Sequence, residues 1–422
     1  MKEFRITFLA LSRTTELEIK SENEIDPIVN DLLMVFIKEI DYENFKINIE
    51  SLQQNTTEFK TRIDAVVQKY KSYEPKIQQI NSYFKDLKDN EYFFIFPNIK
   101  IPKEQSFQFY NYLSALEKNE DFEKITMQMD GLFGILMNSY EMFAFDENTR
   151  KKIGEPDKSK RVCRFCNKPN GEVSFKKLAH TISEALGNKK IITNDECDTC
   201  NENFGTGIEN DLILYLNLYR SFFGIKGKNG IPKLKGKNFE IENKGTIEIK
   251  QYLTDEEIND PNRDDFKLKL ETTQKFTAQN VYRTLAKYAL GVIAREQIDN
   301  FSETIEWIKG TKNIVQLPKV AMLTSYDLFS THPKLMVYLR KTDDNNLPYA
   351  VAELRFTFLT FVYIIPDSNK DTTDFTQEDK FKHFWDFFKH YSSVPHWKFV
   401  KMNDNTAKPF AMNLNFEIKE KK

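Results

Sequence analysis

The 422-residue chain contains few cysteines, tryptophans and histidines: four, three and five respectively. No run of about eighteen apolar residues occurs, which excludes an ordinary transmembrane helix. The first ten residues lack the long apolar core of a secretion signal, and so few cysteines do not suit a disulfide-dense secreted domain. Internal repeats and low-complexity tracts are also missing. These absences predict a cytoplasmic protein without a membrane partner.

Composition and charge leave room for several folded domains. Hydrophobic residues make up 40% and aromatic residues 14% of the chain, which is enough for sizeable cores, and the length predicts two to four domains. The net charge of −2 conceals a local asymmetry. Residues 151–250 carry 19 Lys and Arg against 13 Asp and Glu, so the flanks are acidic. A basic middle section favours contact with phosphate groups.

All four cysteines fall in two Cys-x-x-Cys pairs, Cys163 with Cys166 and Cys197 with Cys200. Two such pairs at this separation are typical of a tetrahedral zinc site, which four thiolates fill completely. Because no coordination position stays open, we expect a structural Zn²⁺ ion and no catalytic role for the cysteines. The alternative is two disulfides or two redox dithiols, and the missing export signal disfavours it.

The residues between and after the pairs have their own patterns. Partial alternation over 173–179 predicts a short strand, and Ile191–Thr193 predicts a second one. The turn signal Gly187-Asn188 lies between them. Helical spacing of apolar residues begins near Asn201, at Phe204, Ile208, Leu212 and Tyr215. The predicted order is strand, loop, strand, helix, with the cysteine pairs at the base.

This segment, about residues 160–220, resembles the HNH endonuclease family in its four-cysteine zinc-knuckle form. The matching residues are both cysteine pairs and two runs, Ala179-His180-x-Ile182-x-x-Ala185-Leu186-Gly187-Asn188 and Glu196-Cys197-x-x-Cys200-Asn201-x-x-Phe204-Gly205-x-x-Ile208-Glu209. The resemblance implies a ββα-metal module. It also implies a metal-dependent nuclease that hydrolyses phosphodiester bonds, with DNA as the expected partner. A role in host defence rests on the resemblance alone.

The resemblance assigns a role to each motif residue. His180 would be the general base, because a neutral imidazole with a pKa of about 6.5 can accept a proton from water. Asn201 would orient the histidine or contact the metal, although an asparagine there could also cap the helix. Glu209 and Asn210 are the candidates for the third motif position and for holding a catalytic Mg²⁺ or Mn²⁺ ion. Glu209 could equally be a surface residue of the helix.

The chain departs from the family pattern at Ala179. Many members carry an acidic residue or a histidine just before the catalytic histidine, where it binds the metal. The catalytic ion would then depend on Glu184, Asp198 or Glu209, or the site would be inactive. The alternative function is therefore a catalytically inactive, zinc-stabilised protein that binds nucleic acid or another protein.

A glycine-rich basic stretch, Gly224–Asn238, follows the predicted helix and contains no acidic residue. It predicts a nucleic-acid-binding loop that follows the phosphate backbone. An ordinary solvated linker is the alternative. The candidate contact residues are Lys226, Lys228, Lys233, Lys235 and Lys237.

The whole chain is predicted to be α+β. We expect a mainly helical N-terminal region with short strands (1–150), the HNH-like ββα zinc module (160–223) and an α+β C-terminal domain whose sheet contains a β-hairpin (239–422). A charged segment with glycine and proline, 146–160, would link the first two. The flanking regions could dock a protein partner or form a homo-oligomer. In the first region, helices are expected over 28–37, 57–89 with a break at Pro75, 104–118 and 121–142, and strands over 1–10 and 92–96.

Three patterns in the C-terminal part carry specific expectations. A helix is expected over 277–297, with Thr277 as its cap. Two apolar stretches, 335–340 and 351–365, flank a polar turn and predict a hairpin whose second strand is long and central. The aromatic stretch 383–397 holds three of the five histidines, and no acidic cluster accompanies it. It predicts an aromatic core helix and not a metal site.

Overall fold

The computed structural model describes residues 2–21, 25–41, 46–99, 101, 103–146, 150–260 and 267–415. The chain divides into two units, Met1–Gly134 and Ile135–Lys422, and its mixture of helix and sheet confirms the expected α+β character. The three-part division predicted from the sequence stays a prediction, and 147–149 of the expected linker lie outside the described residues. Among the described residues, no helix combines the length and the hydrophobicity that a bilayer crossing requires.

The first unit is built on a four-stranded antiparallel sheet in the order β2-β1-β6-β5. The predicted N-terminal strand is β1, where Phe4, Ile6 and Phe8 are buried at alternate positions. A separate hairpin pairs β3 with β4. The strands are β1 (Lys2–Ala10), β2 (Thr14–Ser21), β3 (Ile37–Asp41), β4 (Lys46–Ile49), β5 (Leu52–Gln54) and β6 (Tyr92–Pro97).

The helices of the first unit are α1 (Asp26–Met34), α2 (Thr57–Tyr70), α3 (Gln78–Asp86), α4 (Lys103–Lys118) and α5 (Phe122–Met129). The side chain of Thr56 caps α2, which buries Phe59, Ile63 and Val67 on one face. The predicted break at Pro75 is confirmed, since a 3₁₀ turn separates α2 from α3. The helices predicted over 28–37 and 121–142 were too long, because strands begin at Ile37 and Tyr140.

The second unit contains the remaining elements. Its helices are α6 (Ile135–Ser139), α7 (Asp198–Thr206), α8 (Ile208–Tyr215), α9 (Asn217–Phe222), α10 (Asp255–Ile258), α11 (Ala278–Leu290), α12 (Arg295–Ile298), α13 (Ser302–Lys309), α14 (Glu378–Phe387) and α15 (Lys389–Ser392). Its strands are β7 (Tyr140–Phe145), β8 (Lys151–Ile153), β9 (Ile191–Thr193), β10 (Leu234–Lys235), β11 (Phe239–Asn243), β12 (Ile247–Gln251), β13 (Lys267–Thr277), β14 (Val320–Thr324), β15 (Ser330–Arg340), β16 (Ala350–Thr357), β17 (Leu359–Ile364), β18 (Lys398–Val400) and β19 (Ala407–Asn415).

A six-stranded antiparallel sheet in the order β18-β14-β17-β16-β15-β7 forms the centre of this unit. The predicted hairpin is confirmed as β15 paired with β16. The single long strand expected over 351–365 was wrong, because Thr357 has a φ of +53° and the chain reverses between Phe356 and Leu359. Smaller sheets pair β10-β11-β12, β13-β19 and β8-β9. Uniform apolarity on both sides of Thr357 concealed this turn from sequence inspection.

Helix α11 lies in the hydrophobic core of the second unit. Val281, Leu285 and Tyr288 are fully buried on it. The helix ends at Leu290, so the helix predicted over 277–297 was too long. Thr277 is the N-cap residue of the helix, as predicted, but its side chain makes no capping hydrogen bond. The same apolar cluster contains Cys163, Phe204, Leu212 and the strands of the large sheet. The cysteine segment therefore shares one core with the C-terminal sheet.

The aromatic stretch at 383–397 forms α14, α15 and the connection that follows. Phe384, Phe388 and Tyr391 are buried, and the rings of Phe388 and Tyr391 stack with centroids 6.1 Å apart. The ring of His390 lies 3.9 Å from that of Tyr391, whereas His383 is exposed. The predicted aromatic core is therefore present, as two short helices.

Candidate metal centre and nuclease motif

The four cysteine sulfurs converge on one point in the second unit. All four Sγ atoms lie within 4.8 Å of one another, and those of Cys166 and Cys197 are 3.8 Å apart. A tetrahedron of thiolates at a zinc–sulfur distance of about 2.3 Å has edges of about 3.8 Å, so this spacing suits that ion. The four residues could therefore hold a metal ion such as zinc.

Backbone amides of the cluster donate hydrogen bonds to its sulfur atoms, which favours the negatively charged thiolate form. The N–H of Cys197 donates to Sγ of Cys163, and the N–H of Cys200 donates to Sγ of Cys197, both at 3.4 Å. Hydrogen bonding from Cys200 lowers the pKa of Cys163 to about 4, whereas burial raises the pKa of Cys197 to about 12. Thiols this close cannot all ionise unless a cation compensates their charge.

The segment 173–179, predicted as a strand, has no continuous strand pairing. Its backbone is tied to the first turn of α7 instead. The carboxylate of Asp198 accepts hydrogen bonds from the amides of Lys176 at 3.0 Å and Lys177 at 2.8 Å. The hydroxyl of Ser174 also donates to it, at 2.5 Å. Burial opposes them, but these bonds lower the pKa of Asp198. The expected ββα arrangement stays a prediction.

His180 lies on a short backbone ladder beside β9. The N–H of Thr181 donates to the carbonyl of Ile191 at 3.0 Å, and the carbonyl of Ala179 accepts from Thr193 at 2.9 Å. His180 itself stands opposite β9 in an antiparallel bridge. Both of its neighbours are buried, whereas His180 is partly exposed. These hydrogen bonds therefore hold the backbone of His180 in place, while the residue remains accessible to solvent.

Asn188 shapes the loop that follows His180. Its buried amide donates to the carbonyls of Ile182 at 2.8 Å and Ile191 at 2.9 Å, and its Oδ1 accepts from the N–H of Ile191. Gly187 has a φ of +90°, and a β-carbon there would lie 3.2 Å from the carbonyl oxygen of Thr331. The loop therefore packs closely against the start of β15 and requires glycine at this position.

A buried arginine–carboxylate pair joins the two cysteine knuckles. The guanidinium of Arg164 donates through Nε and Nη2 to the two carboxylate oxygens of Asp195, at 2.8 and 3.0 Å. Its Nη1 donates to the carbonyls of Leu290 at 2.7 Å and Ile293 at 3.2 Å. The side chains are 0% and 3% exposed. This bidentate pair fixes the knuckles to the end of α11.

Lys287 brings a second buried charge from the last turn of α11. Its Nζ lies 3.0 Å from Oε2 of Glu196 and 2.9 Å from Oε1 of Glu209. The rings of Phe165 and Phe204 also face the ammonium at 5.9 and 5.8 Å. Burial raises the pKa of Glu196 to about 7; burial works to lower the pKa of Lys287, but the two carboxylates raise it. The carboxylate of Glu209 is therefore engaged inside the core.

The other predicted site residues lie on α7 and α8. Asn201 is partly exposed, and within the described part of the chain its side chain makes no hydrogen bond. It does not cap α7, because Cys197 is the cap residue. Asn210 is exposed on α8. The roles predicted for Asn201, Glu209 and Asn210 beside His180 stay predictions.

Part of the predicted basic loop forms a strand. Lys235 belongs to β10, which pairs with β11. Lys233 and Lys235 form ion pairs with Glu240 at 2.7 and 3.3 Å, and Lys237 forms one with Glu271 at 2.5 Å. Three of the five lysines are therefore ion-paired with two acidic groups of the same unit.

The remaining two lysines differ from the other three. Lys226 and Lys228 are exposed in the turn that Gly227 and Gly230 close with reciprocal backbone hydrogen bonds. Among the residues that the structure describes, no carboxylate lies within 4.0 Å of either ammonium. The nucleic-acid-binding role predicted for the stretch stays a prediction, and these two are its best-placed members.

Sequence inspection missed the buried ionic groups. Arg164 stands inside the first knuckle, and Asp195 and Glu196 directly precede the second. Charged residues at such crowded positions were a signal that they have buried partners. Lys287 gave no such signal, because the sequence around it is a regular amphipathic helix.

Lys287→Met is expected to lower the free energy of unfolding by about 3–5 kcal/mol, since it leaves two buried carboxylates without a cation. Denaturant unfolding followed by circular dichroism measures this change. Lys382→Met is the matched control, because Lys382 pairs with Asp386 on the exposed face of α14 and should change little. Equal stability of the two variants would contradict a charged cluster in the core.

Comparison with known proteins identifies one part of the chain. No curated protein and no solved structure gives a significant match. A family match covers both cysteine pairs, His180, α7 and α8. Residues 163–216 match the family model described as HNH endonuclease, which confirms the resemblance inferred from the sequence and indicates a nuclease-type function.

Proposed function

We propose that the protein is a metal-dependent HNH-type endonuclease that hydrolyses phosphodiester bonds in DNA. The observation that carries the proposal is the placement of His180. It is held by the backbone pairing with β9, lies in the segment that matches the family and is partly exposed. A general base that activates water needs a backbone held in one position and access to solvent.

In this proposal His180 takes the proton from the attacking water through its neutral imidazole. Asn201 orients that imidazole or the phosphate, since its side-chain amide has no other partner among the described residues. Lys226 and Lys228 attract the phosphate backbone by their positive charge. Water activation and substrate positioning would then come from different elements of one unit.

A catalytic Mg²⁺ or Mn²⁺ ion would neutralise charge on the phosphoryl oxygens. Asn201 and Asn210 have solvent-accessible positions from which an amide oxygen could contact such an ion. Glu209 fits this role less well, because Oε1 already lies 2.9 Å from the ammonium of Lys287. Asp198 is similarly engaged by the backbone of Lys176 and Lys177.

A structural Zn²⁺ ion would occupy the four-cysteine cluster in the same proposal. Four sulfur ligands leave the ion no open position, so its contribution is to the fold. Because Cys163 and Cys197 are part of the core that includes α11, the ion would stabilise the whole second unit.

An inactive nucleic-acid-binding protein is the second candidate. Two observations favour it: Ala179 stands where many family members carry a metal ligand, and the carboxylate of Glu209 is ion-paired in the core. Salt-dependent binding of DNA without cleavage would select this candidate over the nuclease.

Removing the zinc should destabilise the second unit. Cys163→Ala and Cys200→Ala are each expected to lower Tm by roughly 10 °C, because metal binding contributes directly to folding. Differential scanning calorimetry and elemental analysis measure Tm and metal content. Thr199→Ala, an exposed change in the same knuckle, is the control. Full zinc content in both cysteine variants would refute the assignment.

Loss of the general base should abolish cleavage. His180→Ala is expected to reduce plasmid nicking in Mg²⁺ or Mn²⁺ by about 10²- to 10⁴-fold, with an unchanged Tm. His383→Ala is the matched control, because His383 is exposed on α14. Cleavage by His180→Ala at the rate of the control would show that another residue activates the water.

Lys226 and Lys228, which have no carboxylate partner among the described residues, should contribute more to the salt dependence of binding than the ion-paired lysines. Replacing both Lys226 and Lys228 by Gln is expected to reduce the slope of log K against log salt on duplex DNA by about 0.9 for each phosphate that the variant no longer neutralises. Replacing Lys233 and Lys235, which pair with Glu240, is the control and should change the slope less. The reverse order would contradict the assignment of these two lysines to the phosphate backbone.

A further inference from the structure

An aromatic cleft of about 340 Å³ opens where α9 ends. Four stretches of the chain line it: α9 and the residue after it, the end of β14 with the turn that follows, the β16–β17 turn, and β19. Among the lining residues, the rings of Phe223 and Phe358 lie 5.1 Å apart, and that of Tyr326 lies 5.1 Å from Phe358. Phe329 extends the same group, 5.2 Å from Phe223.

Two of these rings, those of Tyr326 and Phe329, are exposed in the described part of the chain. Tyr326 is 76% exposed and Phe329 is 46% exposed, although each contacts a neighbouring ring. Exposed aromatic side chains that adjoin one another on a soluble protein mark an interaction surface. The contacts to Phe223 and Phe358 would hold the outer rings in place before any partner binds.

The cleft adjoins the loop that follows His180. Arg220 of α9 donates through Nε to the carbonyl of Ala185 at 2.7 Å. A β-carbon on Gly187 would lie 3.4 Å from the side chain of Ile225 and 3.2 Å from the carbonyl of Thr331. The loop of the nuclease motif therefore touches the segments on both sides of the aromatic group.

The charged residues next to the aromatic cleft indicate which kind of partner it binds. The turn with Lys226 and Lys228 follows Phe223 directly, and both ammonium groups are exposed. The turn that carries Tyr326 contributes one carboxylate, Asp327. Flat exposed rings beside exposed cations are the combination that binds single-stranded nucleic acid, because rings stack on bases while cations contact phosphates.

We propose that this cleft binds unpaired bases of single-stranded DNA beside the cleavage site. The inference rests on the proposed nuclease function for the choice of DNA. Bases of an intact duplex are stacked on one another and cannot present their faces to Tyr326 and Phe329. The protein would therefore prefer DNA with frayed, looped or single-stranded sections, and the stacking contacts would be independent of sequence.

Fluorescence anisotropy on the full chain tests this preference, with the His180→Ala background to prevent cleavage. The probes are a labelled single-stranded DNA oligonucleotide, its duplex and an RNA of the same sequence. Tyr326→Ala combined with Phe329→Ala should weaken binding to the single strand roughly five- to hundredfold. Duplex binding and the salt slope should stay within about twofold of the parent, since no cation is removed. Tyr73→Ala is the matched control, with a tyrosine 54% exposed in the first unit.

Three results would overturn the proposal. One is equal affinity for single strand and duplex with no effect of the double substitution. Another is tighter binding to the RNA than to the DNA. The third is a fall in oligomeric state of the double variant by analytical ultracentrifugation, which would identify the cleft as a contact between copies. Plasmid cleavage is assayed separately, so an inactive protein that still shows aromatic-dependent binding refutes only the nuclease.

Discussion

Four sulfur atoms within 4.8 Å of one another impose the constraint on which the second unit depends. Thiols at this spacing repel once ionised, and a cation removes the repulsion. The cluster lies against α11 in the same core as the large sheet, so its electrostatics and the packing of the unit are coupled. The His180 ladder is anchored to the same core through β9, whose three residues are all buried.

Two buried cations reinforce that coupling. Arg164 extends from the first knuckle to the carbonyls at the end of α11, and Lys287 extends from α11 to the carboxylates beside the second knuckle. The two cationic side chains run in opposite directions between the same partners. Ion pairs this deep are a weak source of net stability, but they penalise any arrangement in which one partner is missing. They therefore fix the orientation of the nuclease motif on the helix.

The sequence predicted the four-cysteine cluster and the family match more completely than the fold around them. Regular spacing identified the cysteine pairs, His180 and the helical stretches, because those patterns are local. The turn at Thr357 was missed, because apolar residues continue on both sides of it and only a positive φ reveals the reversal. The strand expected over 173–179 was wrong, since Asp198 captures its backbone amides from another element. The alternation of apolar and polar residues in the sequence does not reveal that a carboxylate from another element will take the place of a neighbouring strand.

The engagement of Glu209 shows the same limit. In the sequence it stands next to Asn210, and both were predicted to hold the catalytic metal. Its ammonium partner on a distant helix distinguishes the two residues. Likewise, the five lysines of the basic stretch are equivalent by composition. The register of β10 against β11 separates them, because it places Lys233 and Lys235 beside Glu240. Long-range partners decide which charges remain available to a ligand.

The carboxylates beside the second knuckle make the nuclease motif dependent on its host. In a peptide limited to the knuckles and α7, Glu196 would lose its ammonium and Arg164 would lose the carbonyls of α11. The apolar face that α11 covers would also be exposed to solvent. The motif is therefore not an independent folding unit, and moving it into another protein would require moving α11 with it.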